Sequence, residues 1–299
     1  MRRLWVLVIA CALALGGCTQ DAGTAVDIGT GWSPVPAPTR LVPHVGDCFD
    51  GANIGMLGDS GNMLSDPPLP CDEQHRWEAV AIGRITGSIG KAPNPPILDA
   101  PTLARLVPAC AAPTRAYLGG DWRRARIDLE VMLPDAMAWS GGARWYACVA
   151  GETRSTGFLN GVERTSSLRH LLAGRSSLNF SCVDWIFHRH SESNIEPTTC
   201  SKPHSGEFAG YFTLSGTAYP SAARIDKISD VGCKYVVARY VGVSSPSDLS
   251  YTIGWVWTDL PEEQWDNGTH FVRCFAAAYA GSHRFHSTVK GIGPRAARV

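Results

Sequence analysis

Cys71-Asp72-Glu73-Gln74-His75-Arg76-Trp77-Glu78 and Cys200-Ser201-Lys202-Pro203-His204-Ser205-Gly206-Glu207 write one pattern, Cys-x3-His-x2-Glu, twice in one chain. Two more triplets follow each copy in the same order. Cys110, Tyr117 and Gly119 match Cys233, Tyr240 and Gly242 offset for offset, and Trp139, Gly142 and Cys148 match Trp265, Gly268 and Cys274. A looser tail similarity links Leu159-Asn160-Gly161-Val162 with Val289-Lys290-Gly291-Ile292. Spaced triplets recurring in order are the mark of an internal duplication. Two tandem units of one kind are expected.

The residues around these markers predict the elements of each unit. Apolar, β-branched runs over 79–85 and 207–214 read as strands directly behind the His/Glu element. Segments 98–118 and 222–241 read as helices, with Leu103, Leu106, Cys110 and Tyr117 on one inward face and Ile225, Ile228, Val231 and Tyr235 on the other. Gly119 and Gly242 fit as helix stops, and Pro108 predicts a bend or split in the first helix. Strands follow at 125–133 and 250–257, then Pro-initiated turns at Pro134 and Pro261 leading to Trp139 and Trp265, then last strands at 144–150 and 270–279. The fold class is α+β: two similar small domains, each one main helix packed on a short antiparallel sheet.

The start of the chain addresses compartment. Arg2 and Arg3 precede an apolar run from Leu4 to Leu15, too short to span a bilayer, and Leu15-Gly16-Gly17-Cys18 closes it like a bacterial lipobox. Cys18 is the expected attachment point for palmitate-type acyl chains, which place the protein on the outer face of the cell membrane. The expected organisation is a signal peptide over 1–17, a Pro/Gly/Thr-rich tether over 18–45, domain 1 over 46–162, a linker over 163–177, domain 2 over 178–293 and a tail over 294–299.

The chain holds 27 basic and 27 acidic residues and lacks the basic stripe of a nucleic-acid binder. Ten cysteines are many for an exported chain that does not rely on disulfides. Behind the leader they fall into two sets of four, and four cysteines allow three pairings. We expect neighbours to pair, Cys48–Cys71 with Cys110–Cys148 and Cys182–Cys200 with Cys233–Cys274. Cys110–Cys148 would then staple helix to sheet, and Cys48–Cys71 would close the Gly-rich loop. Thiolate metal ligation is the competing use, but no Cys-x-x-Cys occurs.

His75, Glu78, His204 and Glu207 are the candidate ligand-contacting residues, because His and Glu three apart can bind zinc or move protons. The second His of a zincin motif is missing, so structural hydrogen bonding beside the disulfide is the expected role, with no metal and no cofactor. Trp139 and Trp265 recur and are expected in the core. Trp122, Trp145, Trp185, Trp255 and Trp257 do not recur, and any of them can line a partner groove. His188-Arg189-His190 is expected in a solvated loop. No nucleophile elbow, phosphate loop or dinucleotide fingerprint stands out.

Taken together, Gly46-Asp47-Cys48-Phe49, the Cys-x3-His-x2-Glu element, Tyr117-Leu118-Gly119 and Trp139-x2-Gly142 before Cys148 resemble the septum formation family of actinobacterial envelope proteins. The second copy opens differently, with Ser181-Cys182-Val183-Asp184. The resemblance implies an extracytoplasmic, disulfide-bonded, non-enzymatic module tied to cell division. The expected function is lipid-anchored binding or scaffolding in the envelope. Its partner would be an unidentified envelope or division protein or a cell-wall component. Two alternatives stand beside it: a metal-dependent envelope hydrolase built on the His-x2-Glu pairs, and a solute-binding lipoprotein with an inter-domain cleft.

Overall fold

A computed structural model describes residues 42–51, 63–64, 67–154, 161–188, 191–279 and 284–295. The leader, Cys18 and nearly all of the tether lie outside the described residues. Residues 40–299 form one compact unit.

In chain order the elements are β1 (Cys48–Phe49), β2 (Met63–Leu64), β3 (Trp77–Arg84), α1 (Gly87–Gly90), α2 (Ala100–Leu118), β4 (Ile127–Pro134), α3 (Ala136–Ser140) and β5 (Trp145–Glu152). Then come β6 (Cys182–His188), β7 (Ser191–Thr198), β8 (Gly206–Thr213), α4 (Ala222–Val241), β9 (Ile253–Trp257), α5 (Glu262–Asp266) and β10 (Phe271–Ala278). The first five strands make a sheet in the order β1-β3-β5-β4-β2, and the last five make one in the order β7-β6-β8-β10-β9. Pairing is antiparallel except for β2 against β4. The expected α+β architecture is present, with β1-β3-β5-β4 and β6-β8-β10-β9 running in the same order.

The likeness extends to a defect. In β3 an extra residue, Val80, interrupts the register between Ala79 and Ala81, and in β8 the extra residue is Ala209, between Phe208 and Gly210. Both stand two residues after the motif glutamate. A bulge of this kind turns consecutive side chains to one face. Ala79 packs in the cluster with Phe49 and Trp77, whereas Val80 and Ala81 both join Leu103, Cys110 and Tyr117 of α2.

Local chemistry sets the helix ends. The Asp99 side chain accepts from the Thr102 N–H at 2.9 Å, and hydrogen bonding from Thr102, its side chain first and then its N–H, lowers the Asp99 carboxyl pKa. Gly119 and Gly242 sit at φ 74° and 88°, a left-handed conformation that glycine adopts without a Cβ penalty. Of the expected bend or split, the split does not occur: α2 runs as one helix through Pro108 and Pro113. Local cost yields there to tertiary hold, because Leu103 and Leu118 are buried on either side and Cys110 is bonded to Cys148 on β5. On α4 the inward row is Ile225, Ser229, Cys233 and Val237, while Val231 and Tyr235 are exposed. The disulfide at Cys233 selects the i, i+4 row, and residues two positions away from it face the other side.

The four disulfides are Cys48–Cys71, Cys110–Cys148, Cys182–Cys200 and Cys233–Cys274, with Cα–Cα separations of 5.3, 5.7, 5.2 and 5.1 Å. Cys110–Cys148 ties α2 to β5, and Cys233–Cys274 ties α4 to β10. Where a loop is expected between Cys182 and Cys200, β6 and β7 pair as a hairpin from Cys182↔Thr198 to His188↔Ser191. A polar sequence does not forbid a strand when backbone pairing supplies the bonds.

The two halves meet along a seam of arginines and aromatic rings. Ala125 and Asn179 bridge, and the Phe180 N–H donates to the Arg124 carbonyl at 2.9 Å. Tyr211 Oη donates to Asp121 Oδ2 at 2.5 Å, and Arg273 Nε donates to the Arg123 carbonyl at 2.9 Å. The Arg123 guanidinium lies 4.3 Å from the Trp122 ring centre and 5.2 Å from that of Tyr211, and Arg273 lies 5.3 Å from that of Phe180.

Candidate functional site

His75, Glu78, His204 and Glu207 are all fully buried. Each glutamate starts a strand behind its disulfide and points to the helix side of the sheet, where the last turn of the long helix brings a tyrosine. Glu78 Oε1 accepts from Tyr117 Oη and from Ser167 Oγ, the latter at 2.6 Å, and its Oε2 accepts from the Leu168 N–H at 2.5 Å. Glu207 Oε2 accepts from Tyr240 Oη at 2.7 Å and Thr288 Oγ1 at 2.8 Å. Its Oε1 takes the Val289 N–H at 2.9 Å and His204 Nε2 at 2.9 Å. A buried carboxylate is tolerated only when donors replace its lost water, and both glutamates meet that condition. Burial first, then the bond to Glu78, raises Tyr117 to about 12, and burial, then the charge of Glu207, raises Tyr240.

These carboxylates clasp the segment that returns after each sheet. His75 exchanges backbone bonds with Arg164, and His204 exchanges them with Phe285. The N–H groups of His170 and Leu172 reach the carbonyls of Tyr117 and Leu118, while those of Gly291 and Gly293 reach Tyr240 and Val241. Residues 164–172 thus correspond to 285–293, displacing the sequence similarity drawn between 159–162 and 289–292. Ser167-Leu168 and Thr288-Val289 were legible only weakly, since a hydroxyl followed by an apolar residue is too common a pair to stand out.

The ring nitrogens divide the two histidines. Nδ1 of His75 bonds the Glu73 carbonyl at 2.8 Å and Nδ1 of His204 the Lys202 carbonyl at 2.7 Å. His75 Nε2, however, is buried without a partner. Ligand atoms of Cys48, Cys71 and His75 cluster within 4.8 Å, as do those of Cys182, His204 and Glu207. In both clusters the sulfur is held in a disulfide, which removes the thiolate a metal needs. Glu207, moreover, has both oxygens filled by donors. The donor set does not fit a metal.

A second site lies where the halves face each other. A cleft of about 410 Å³ runs between α2 and the β4 start on one side and the β8 end and the α5–β10 turn on the other. Sequence reasoning missed its polar residues. Asp128 and Glu130 alternate with apolar neighbours as a solvent-facing row would, yet both are buried. Burial raises Asp128 to about 6 against the opposing charge of Arg273, and burial together with the Asp128 charge holds Glu130 well above the ordinary glutamate range. Burial likewise lowers Arg273 to about 10. Among the non-recurring tryptophans Trp122 lines this cleft, whereas Trp255 donates from Nε1 to Asp230 at 2.8 Å. Trp139 and Trp265 are core residues, as expected.

No described helix is long and apolar enough to cross a membrane. No curated protein and no solved structure matches the chain. The family model described as septum formation matches residues 67–274. That span runs from the turn before the first His/Glu element through the last cysteine of the second half, so the chain belongs to the septum formation family.

Proposed function

We propose that this protein is a non-catalytic binding and scaffolding protein of the bacterial cell envelope, anchored by lipid at Cys18 on the outer face of the cytoplasmic membrane. Family membership links it to septum formation. The observation that carries the non-catalytic reading is the consumption of its recurring polar residues by the fold. Glu78 and Glu207 are saturated by donors from helix and tail, and the neighbouring sulfurs are oxidised. The Cys-x3-His-x2-Glu element is therefore a clamp, and what it presents to partners is the surface it holds rigid. With two similar halves on one tether, partner capture gains from effective concentration if both engage.

The test is deletion of the gene in its host followed by complementation, scored by septum placement and by palmitate labelling. Wild type should restore septa and take up label, and Cys18→Ser should do neither. Normal septa in the deletion strain, or stoichiometric zinc in the purified protein, would overturn the reading.

A further inference from the structure

We infer that the cleft between the halves is a binding site for a neutral amphipathic small molecule with an apolar body and one N–H or O–H donor. This goes beyond the scaffolding role and does not depend on it. At about 410 Å³ the cleft falls within the ~300–1,000 Å³ range of small-molecule sites, which are largely apolar with a few placed polar groups. Leu103, Val107 and Leu129 supply aliphatic wall from the first half, and Trp122 and Phe271 supply aromatic wall from opposite halves. A ligand held there touches both halves at once.

The polar observation is Asn267. It caps α5 and lines the cleft, it is 4 % exposed, and its Oδ1 is buried with no donor. A buried acceptor left unmatched costs free energy that a bound donor would return. Its backbone N–H is already spent on the Glu263 carbonyl at 3.0 Å. Thr213, Thr217 and Thr269 stand in the same lining and widen the hydrogen-bonding side.

The charges present argue for a neutral ligand. Arg123 is held by Asp121 at 3.1 Å and by two aromatic rings, and Asp128 faces the field of Arg273. His270 stacks on Trp265 with ring centres 4.0 Å apart, bonds the Trp265 carbonyl through Nε2 at 3.1 Å, and has its pKa lowered by burial. Among the described lining residues Arg123 is ion-paired, and burial disfavours the charged forms of Asp128 and His270, so the cleft favours a neutral ligand.

The probes are N-phenyl-1-naphthylamine, a neutral fluorophore with one N–H, and its N-methyl derivative, which lacks it. Both are titrated into the full chain carrying Cys18→Ser, so that no detergent is present. The N–H probe should bind saturably with one site, about tenfold more tightly than the N-methyl probe. Asn267→Leu should remove that tenfold preference and leave the N-methyl probe unchanged. Ala104→Trp, which fills the cleft from α2, should abolish saturable binding of both while the thermal melt stays cooperative. Absence of saturable binding to the parent chain would overturn the inference. So would equal binding of the two probes, or Ala104→Trp binding that matches the parent.

Discussion

The His75 and His204 elements occupy the same place in the two halves and are wired differently. Both histidines are buried, both bond a carbonyl two residues back, and both precede a glutamate that clasps the returning tail. In the second half His204 adds a fourth donor to Glu207, whereas in the first half Glu78 takes three and His75 Nε2 goes without. The glutamate is thus the fixed part of the clamp. The histidine ring is an optional contributor whose constant task is the carbonyl bond that shapes the turn.

Removing the clamp should produce the largest loss. Glu207→Leu strands four donors and should destabilise by ~3–5 kcal/mol, read from the urea midpoint. Glu78→Leu should cost less because it strands three, and equal losses would erase the distinction drawn between the halves. Next come the staples. Replacing Cys110 with Cys148, or Cys233 with Cys274, by alanine pairs should each cost about 3–4 kcal/mol, since the sequence separations of 38 and 41 are nearly the same.

A third contrast concerns acid. By strand register the positions of Asp128 and Glu130 correspond to Gly254 and Val256 in the second half. Asp128 titrates at about 6 in the fold against 3.8 ordinarily, so the fold binds the extra proton. Its contribution is fully present below about pH 4 and is lost as pH rises through 6, by roughly 2–3 kcal/mol. Glu130 acts in the same direction. Asp128→Asn should flatten the decline of the melting temperature between pH 4 and 6, and an unchanged slope would place the titration elsewhere. The smallest effect separates the histidines themselves. His204→Leu should cost about 2 kcal/mol through its charged partner, and His75→Leu about 1 kcal/mol or less, since only the carbonyl bond is lost.

Much of the fold is readable in the chain because its signals are local. The glycine stops, the alternating strands and the Cys–helix spacing each depend on neighbours within a turn or two. The split at Pro108 and the inward placement of Val231 and Tyr235 fail for one shared reason. A disulfide fixes which helical row meets the sheet, and that choice overrides local preference. The clamp was half legible. The glutamates stand in a recurring motif, but their partners at Ser167, Leu168, Thr288 and Val289 lie some eighty to ninety residues away in unremarkable sequence. The cleft was invisible as a set of residues, because Asp128, Asn267 and Arg273 gain their meaning only when one half covers another.

The tail segments that each glutamate grips have a consequence for how the molecule is made. Glu207 lies 82 residues ahead of the Val289 amide that fills it, and Glu78 lies 90 residues ahead of the Leu168 amide. Neither half can latch until its own return segment is present, Leu168 for the first and Val289 for the second. A chain that stops before Thr288 would therefore hold its first half latched and lack the keystone of the second.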